Sequence, residues 1–126
     1  MLHEEITGAI IQAFYKVYNT LGCGFLEKVY ENALVHELTN LGLVVSQQMP
    51  IKVYYDGCLV GKYFADLVVE GCVIVEIKAA ESLRPEHAAQ LFNYLKATEI
   101  KVGLLLNFGP KPEFARRIFT GDRKKG

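Results

Sequence analysis

The sixteen residues "FADLVVEGCVIVEIKA", positions 64–79, constrain the fold of this chain more than any other stretch. Two apolar, β-branched runs flank Glu70-Gly71, a turn pair, so the segment reads as a hairpin inside a sheet. Three charges, Asp66, Glu76 and Lys78, interrupt what is otherwise core sequence. Side chains alternate along a strand, so Glu76 and Lys78 share one face while Val73, Val75, Ile77 and Ala79 take the other. Asp66 shares a face with Phe64 and Val68. A two-residue loop at Glu70-Gly71 would pair Val69 with Cys72 and turn Asp66 away from Glu76. A three-residue loop, such as Val69-Glu70-Gly71 with Gly71 left-handed, reverses that parity and also sorts the apolar residues onto one side. The sequence therefore predicts an odd-length connection or a bulge, with Asp66, Glu76 and Lys78 converging.

Around this hairpin the pattern is that of an α/β domain. Ile6, Ile10, Phe14, Val17 and Leu21 recur every three or four residues, predicting a helix over 2–21 that stops at "LGCG". A second helix over 26–41 carries Leu26, Val29, Tyr30, Ala33, Leu34, Leu38 and Leu41 on its apolar side. Four strand-like segments follow: "LVVSQQ", then after Pro50 "IKVYYDG", "CLVGKYFADLVVEG" and "CVIVEIKAA", with Asp56-Gly57 as a further hairpin turn. Ser82 and Pro85 suit a helix start, and "EHAAQLFNYLKAT" is helical with Ala88, Leu91, Phe92 and Leu95 inward. The uninterrupted apolar run "KVGLLLNFG" is a strand buried on both faces, ended by Gly109-Pro110. "PEFARRIF" reads as a short last helix. The expected fold is a mixed β-sheet flanked by helices in the order α-α-β-β-β-α-β-α, with residues 1–126 as one domain.

Bulk properties exclude several classes. No apolar run approaches the ~20 residues of a membrane helix, and the N-terminus carries two acids instead of a basic region before an apolar stretch. A cytoplasmic location is the expectation. Cys23, Cys58 and Cys72 are odd in number and far apart, which argues against a disulfide framework or a zinc site and for small, wholly or partly buried residues. Formal net charge is zero, yet residues 111–126 hold six basic residues against Glu113 and Asp122 and stand at +4. That segment is able to touch phosphates, although a solubilising end is the simpler reading.

Two carboxylates held close together repel unless a cation lies between them. Oxygen ligands of this kind suit Mg²⁺ or Mn²⁺, which polarises a phosphoryl oxygen and lowers the pKa of bound water. A lysine on the same face orients or deprotonates the attacking water, or neutralises charge on phosphorus. Taken singly, Glu76 and Lys78 describe a solvated strand face. Together with Asp66 at matching parity they describe metal-assisted phosphodiester hydrolysis.

At these residues the chain resembles the PD-(D/E)-x-K nuclease superfamily: Asp66 on one strand and "Glu76-Ile77-Lys78" on the next. "GFLEKVY" (Gly24, Glu27, Tyr30) is similar to the G-x-x-E-x-x-Y signature of one branch of that superfamily, and Gln90 and Tyr94 in "HAAQLFNY" to the Q-x-x-x-Y motif of RecB-like and Cas4-like nucleases. Tyr18 and Cys23 stand where the branch pattern has His and Pro. The resemblance implies a restriction-endonuclease-like core and a nuclease of nucleic acid, DNA before RNA. Asp66 and Glu76 would be metal ligands, Lys78 the catalytic lysine, and Glu27 the completion of the metal shell. Gln90 and Tyr94, one helical turn apart, would contact the scissile phosphate or orient Lys78. Tyr30 is read as core, its hydroxyl reaching an active-site acid. Two other readings stand beside this one: a nucleic-acid or protein-interaction module that has lost catalysis, and a metal-dependent enzyme acting on a small phosphate ester.

Overall fold

The computed structural model describes residues 3–121. Two helices, α1 (Glu4–Leu21) and α2 (Glu27–Asn40), precede strands β1 (Val45–Tyr55), β2 (Cys58–Val69) and β3 (Val73–Lys78); α3 (Pro85–Ala97) then leads to β4 (Val102–Phe108) and β5 (Pro112–Ile118). The sheet has five strands in sequence order. Neighbours run antiparallel except β3 and β4, which the α3 crossover makes parallel.

Two apolar clusters lie on the two faces of this sheet. α1 and α2 cover one with Ile10, Phe14, Val17, Tyr30, Leu34 and Leu38, packed on Val73, Val75, Ile77, Leu104 and Leu106. α3 covers the other with Leu91, Tyr94 and Leu95, packed on Ile74, Val68 and Leu105. β3 thus sends odd-numbered residues to the α1–α2 side and Ile74 to the α3 side, as its alternation requires.

The Asp66 hairpin has the odd-length connection expected from its parity, with a different composition. The last pair is Val69 with Val73, so the loop is Glu70-Gly71-Cys72. Glu70 and Gly71 both take left-handed backbone, φ 54° and 66°. Glycine adopts this freely; Glu70 is held in it by its N–H to the Val44 carbonyl and its side chain on the Val44 N–H. Asp56-Gly57 forms a two-residue hairpin turn, joining the Tyr55–Cys58 pair.

Some expectations are corrected. "PEFARRIF" is not a helix: its residues 112–118 form β5, antiparallel to β4. β4 is buried along its whole length, and without β5 its N–H and C=O groups on that side would be stranded away from water. Eight residues make too short a helix to compete with that demand. The two segments around Pro50 are one strand, β1, at the sheet edge, where a missing N–H costs no ladder bond on the open side. α3 is capped at Arg84, not Ser82; the Arg84 N–H donates to His87 Nδ1. Cys23 and Cys58 are exposed and Cys72 is half-buried. Of the basic segment, Lys111 sits in the β4–β5 turn and Arg116 and Arg117 on β5, while residues 122–126 lie outside the described residues. No described helix is long and apolar enough to cross a membrane.

Candidate active site

β2 and β3 part company at Leu67–Val75, the first pair of their short ladder. One step further, side chains take over from the backbone. The Asp66 N–H donates to Glu76 Oε2 at 2.8 Å, and the Ile77 N–H donates to Asp66 Oδ2 at 2.8 Å. Asp66 and Glu76 therefore occupy the notch between diverging strands, each carboxylate fixed by the other strand's main chain. The outer ribbon also turns over here. Leu67 and Val69 pack with the α1–α2 cluster while Ala65, of the same parity, packs with the α3 cluster. This departs from the simple alternation of β2 and occurs opposite Gln48, whose φ is 54°.

Burial makes the pair electrostatically costly. Glu76 is 6% exposed, and burial, with the Asp66 charge next, pushes its carboxyl up from 4.5 to about 8. Asp66 is raised as well, chiefly by burial, against the lowering effect of the Ile77 and Gln48 hydrogen bonds. The Lys78 charge favours ionisation of both acids, and Lys78 forms no ion pair with a described residue. The three charges the sequence singles out are thus brought to one place.

Gln90 and Tyr94 are also joined. Gln90 Nε2 donates to the Tyr94 hydroxyl at 2.7 Å. Tyr94 is buried, and its phenol is raised by burial and then by the charges of Glu76 and, less, Asp66. This pair sits on the α3 side of the acids, where the ring of Tyr63 lies 5.7 Å from that of Tyr94.

α2 also places a buried acid, Glu31, near the pair, and sequence reasoning held no expectation for it. Glu31 is 3% exposed, and its charge bears on both Asp66 and Glu76. It accepts hydrogen bonds from Lys28, Gln47 and Gln48, and Gln48 Nε2 also reaches Asp66 Oδ1 at 3.3 Å. The signal was present: Glu31 stands three and seven residues before Leu34 and Leu38, in the buried row of the helix. Glu27, the expected third acid, is exposed at the first turn. It lines a groove of about 330 Å³ with Cys23–Leu26, Ala79–Glu81 and Phe108–Pro110. Tyr30 is core, as expected, but its hydroxyl donates to the Gly22 carbonyl and not to a site acid. Tyr18 donates to the Gly109 carbonyl oxygen at 2.8 Å, with that of Pro110 within 2.9 Å, and so braces the β4–β5 turn.

Among the described residues no three or more His, Cys, Asp or Glu side chains form a group able to hold a metal ion. The donor set that fits one is the Asp66–Glu76 pair. Glu76 Oε1 accepts no hydrogen bond from a described residue, and Asp66 Oδ1 has the long contact from Gln48 alone. Two mutually repelling carboxylates, Glu76 buried and Asp66 half-buried, with oxygens to spare suit a hard divalent cation that completes its shell with water. Glu27 forms no three-residue group with them among the described residues.

The loop from Lys78 to α3 is locked from behind. Asn107, fully buried on β4, accepts from the Ala80 N–H and donates to the Ala80 carbonyl, at 2.8 and 3.0 Å. Glu113 on β5 accepts from the Leu83 N–H and from Asn107. A Cβ on Gly109 would lie 2.0 Å from the Ala80 carbonyl oxygen, so this close approach of two backbones demands glycine.

A family model described as PD-(D/E)XK nuclease superfamily matches residues 4–118. Among solved structures, the chain is similar to the crystal structure of SSO0001, with 20% identity and a TM-score of 0.58 over 75% of this chain and 52% of that one. It is similar also to an alkaline exonuclease from Laribacter hongkongensis, with 14% identity and a TM-score of 0.53 over 72% and 55%. The chain spans about half the length of these two structures. No curated protein matches it.

Proposed function

Since the chain belongs to the PD-(D/E)XK nuclease superfamily, we propose that it is a metal-dependent phosphodiester hydrolase that cuts nucleic acid, DNA before RNA, by attack of water. The observation that carries this reading is the pairing of buried Glu76 with half-buried Asp66, with the Lys78 charge acting on both. The alkaline exonuclease likeness supports it at the level of fold.

Asp66 and Glu76 would hold Mg²⁺ or Mn²⁺, which when bound supplies Lewis-acid polarisation and a more acidic water. Glu31 adds negative charge behind them and through Gln48 fixes the orientation of Asp66. Lys78 shares the Glu76 face and orients the attacking water or meets charge developing on phosphorus. The Tyr94 hydroxyl, held by Gln90, stands on the same side and positions Lys78 or a phosphate oxygen. Glu27 borders the adjoining groove and would act on the ion through solvent. Within the superfamily, Gly24-Glu27-Tyr30 and the Gln90–Tyr94 pair support the G-x-x-E-x-x-Y branch with RecB-like and Cas4-like affinities.

The test is cleavage of DNA and RNA by purified protein with Mg²⁺ or Mn²⁺. Asp66→Ala and Lys78→Ala are expected to lower the rate at least about a hundredfold. A wild type that cuts neither polymer, or variants that cut equally well, would end the enzymatic reading.

A further inference from the structure

The site described above uses one end of the β1–β2 hairpin. β2 pairs with β3 only from Leu67 to Val69, so residues 50–64 continue as a two-stranded ribbon. A ribbon of this kind gains little stability from itself, yet this one exposes Tyr54, Tyr55, Leu59, Val60, Tyr63 and Phe64. Its two faces differ. One begins with buried Ile51 and with Tyr63 against Tyr94, and so leans on α3. The other is formed by the cross-strand pairs Pro50–Phe64 and Lys52–Lys62 and, past a register shift between Val53 and Tyr54, by Tyr54 opposite Leu59.

The Lys52–Lys62 pair is the informative one. Like charges directly opposite each other on a sheet face destabilise it, and neither lysine forms an ion pair with a described residue. Lys62 instead lies over the Phe64 ring, 5.4 Å from its centre. Two facing ammonium groups bracketed by aromatic rings form a site for an anion that carries flat apolar groups. The row starts beside Gln48, which touches both Glu31 and Asp66. Four residues of strand, about 13 Å, separate Lys62 from Asp66.

We propose that this open face of the β1–β2 ribbon is a platform for single-stranded nucleic acid, with Lys52 and Lys62 taking phosphate and Phe64 and Tyr54 stacking on bases. Bases stack on exposed rings only when they are not already stacked and paired, which selects a single strand over a duplex. The inference rests on the nuclease reading for its direction, since the ribbon leads away from the Asp66–Glu76 notch.

The experiment is fluorescence anisotropy of the full chain in EDTA, with a labelled oligodeoxythymidylate and a duplex of the same length. The single strand should bind about tenfold more tightly. Lys52→Ala/Lys62→Ala should weaken it about tenfold and reduce the salt dependence by one to two phosphate contacts. Phe64→Ala should weaken it about fivefold with the salt dependence unchanged. Lys52→Gln/Lys62→Gln, which keeps side-chain length, guards against misfolding, and melting curves identify any variant that has unfolded. Equal binding of strand and duplex, or wild-type affinity in a folded variant, overturns the proposal. So does light scattering that shows a dimer dissociated by Phe64→Ala, since a second copy would then own the surface. Cleavage with Mg²⁺ is scored separately. Cutting unchanged in the lysine variants removes the platform and leaves the nuclease; ribbon-dependent binding with no cutting does the reverse.

Discussion

A glutamate proposed as a metal ligand also bears on stability, and Glu76 is such a residue. Its carboxyl stands near 8 in the folded chain against an ordinary 4.5, with burial the main cause. Between those values the folded chain keeps a proton that the unfolded chain has released, so the stability contributed by protonation declines as pH rises. Thermal melts of the protein in EDTA should therefore fall from about pH 5 to about pH 8, by on the order of 3 kcal/mol for this group. Asp66 shifts in the same direction and adds to the slope. In Glu76→Gln the fall should be much shallower, because the main titrating group is gone. A wild-type melting temperature that stays level across that range would show that Glu76 is not held buried beside Asp66.

Among the elements, the loop between β3 and α3 decides how well Lys78 and Tyr94 are registered to each other. Asn107 clamps Ala80 from β4, Glu113 clamps Leu83 from β5, and Gly109 makes room for the Ala80 carbonyl. Gly109→Ala forces two backbones apart, and overpacking of this sort costs about 1–3 kcal/mol. Urea denaturation should show a lowered midpoint with an unchanged slope, and cleavage should drop along with it. An alanine variant as stable as wild type would mean that the loop is not held by this contact. The same elements explain why β5 is a strand: its Glu113 reaches the loop only from an extended backbone beside β4.

For the whole molecule, the site lies where two separately packed layers meet at the end of the β2–β3 ladder of their shared sheet. α2 brings Glu31 from one side and α3 brings Tyr94 and Gln90 from the other. A cation bound between Asp66 and Glu76 would relieve their repulsion in the folded state alone. Mn²⁺ at about a hundredfold its Kd should then stabilise the chain by about 2.7 kcal/mol, a rise of several degrees in Tm. Differential scanning fluorimetry with and without Mn²⁺ reads this directly. Asp66→Asn should remove the rise, and an equal rise in that variant would place the cation elsewhere.

Local rules were enough for much of this. Alternation along a strand and the length of a hairpin loop are backbone properties, so the sequence alone placed Asp66, Glu76 and Lys78 together and ordered the first seven elements. One turn of helix likewise set Gln90 beside Tyr94. What depended on the rest of the molecule needed the tertiary structure. That Glu31 is buried while Glu27 is exposed follows from how α2 is rotated against the sheet, and that rotation is set by burying Tyr30, Leu34 and Leu38 together. The strand at 112–118 answers to unpaired groups on β4, a partner distant from any signal in its own seven residues. The turnover of β1 and β2 at Gln48 and Asp66 arises because one ribbon must serve two packing faces, a demand that exists only once both layers are in place.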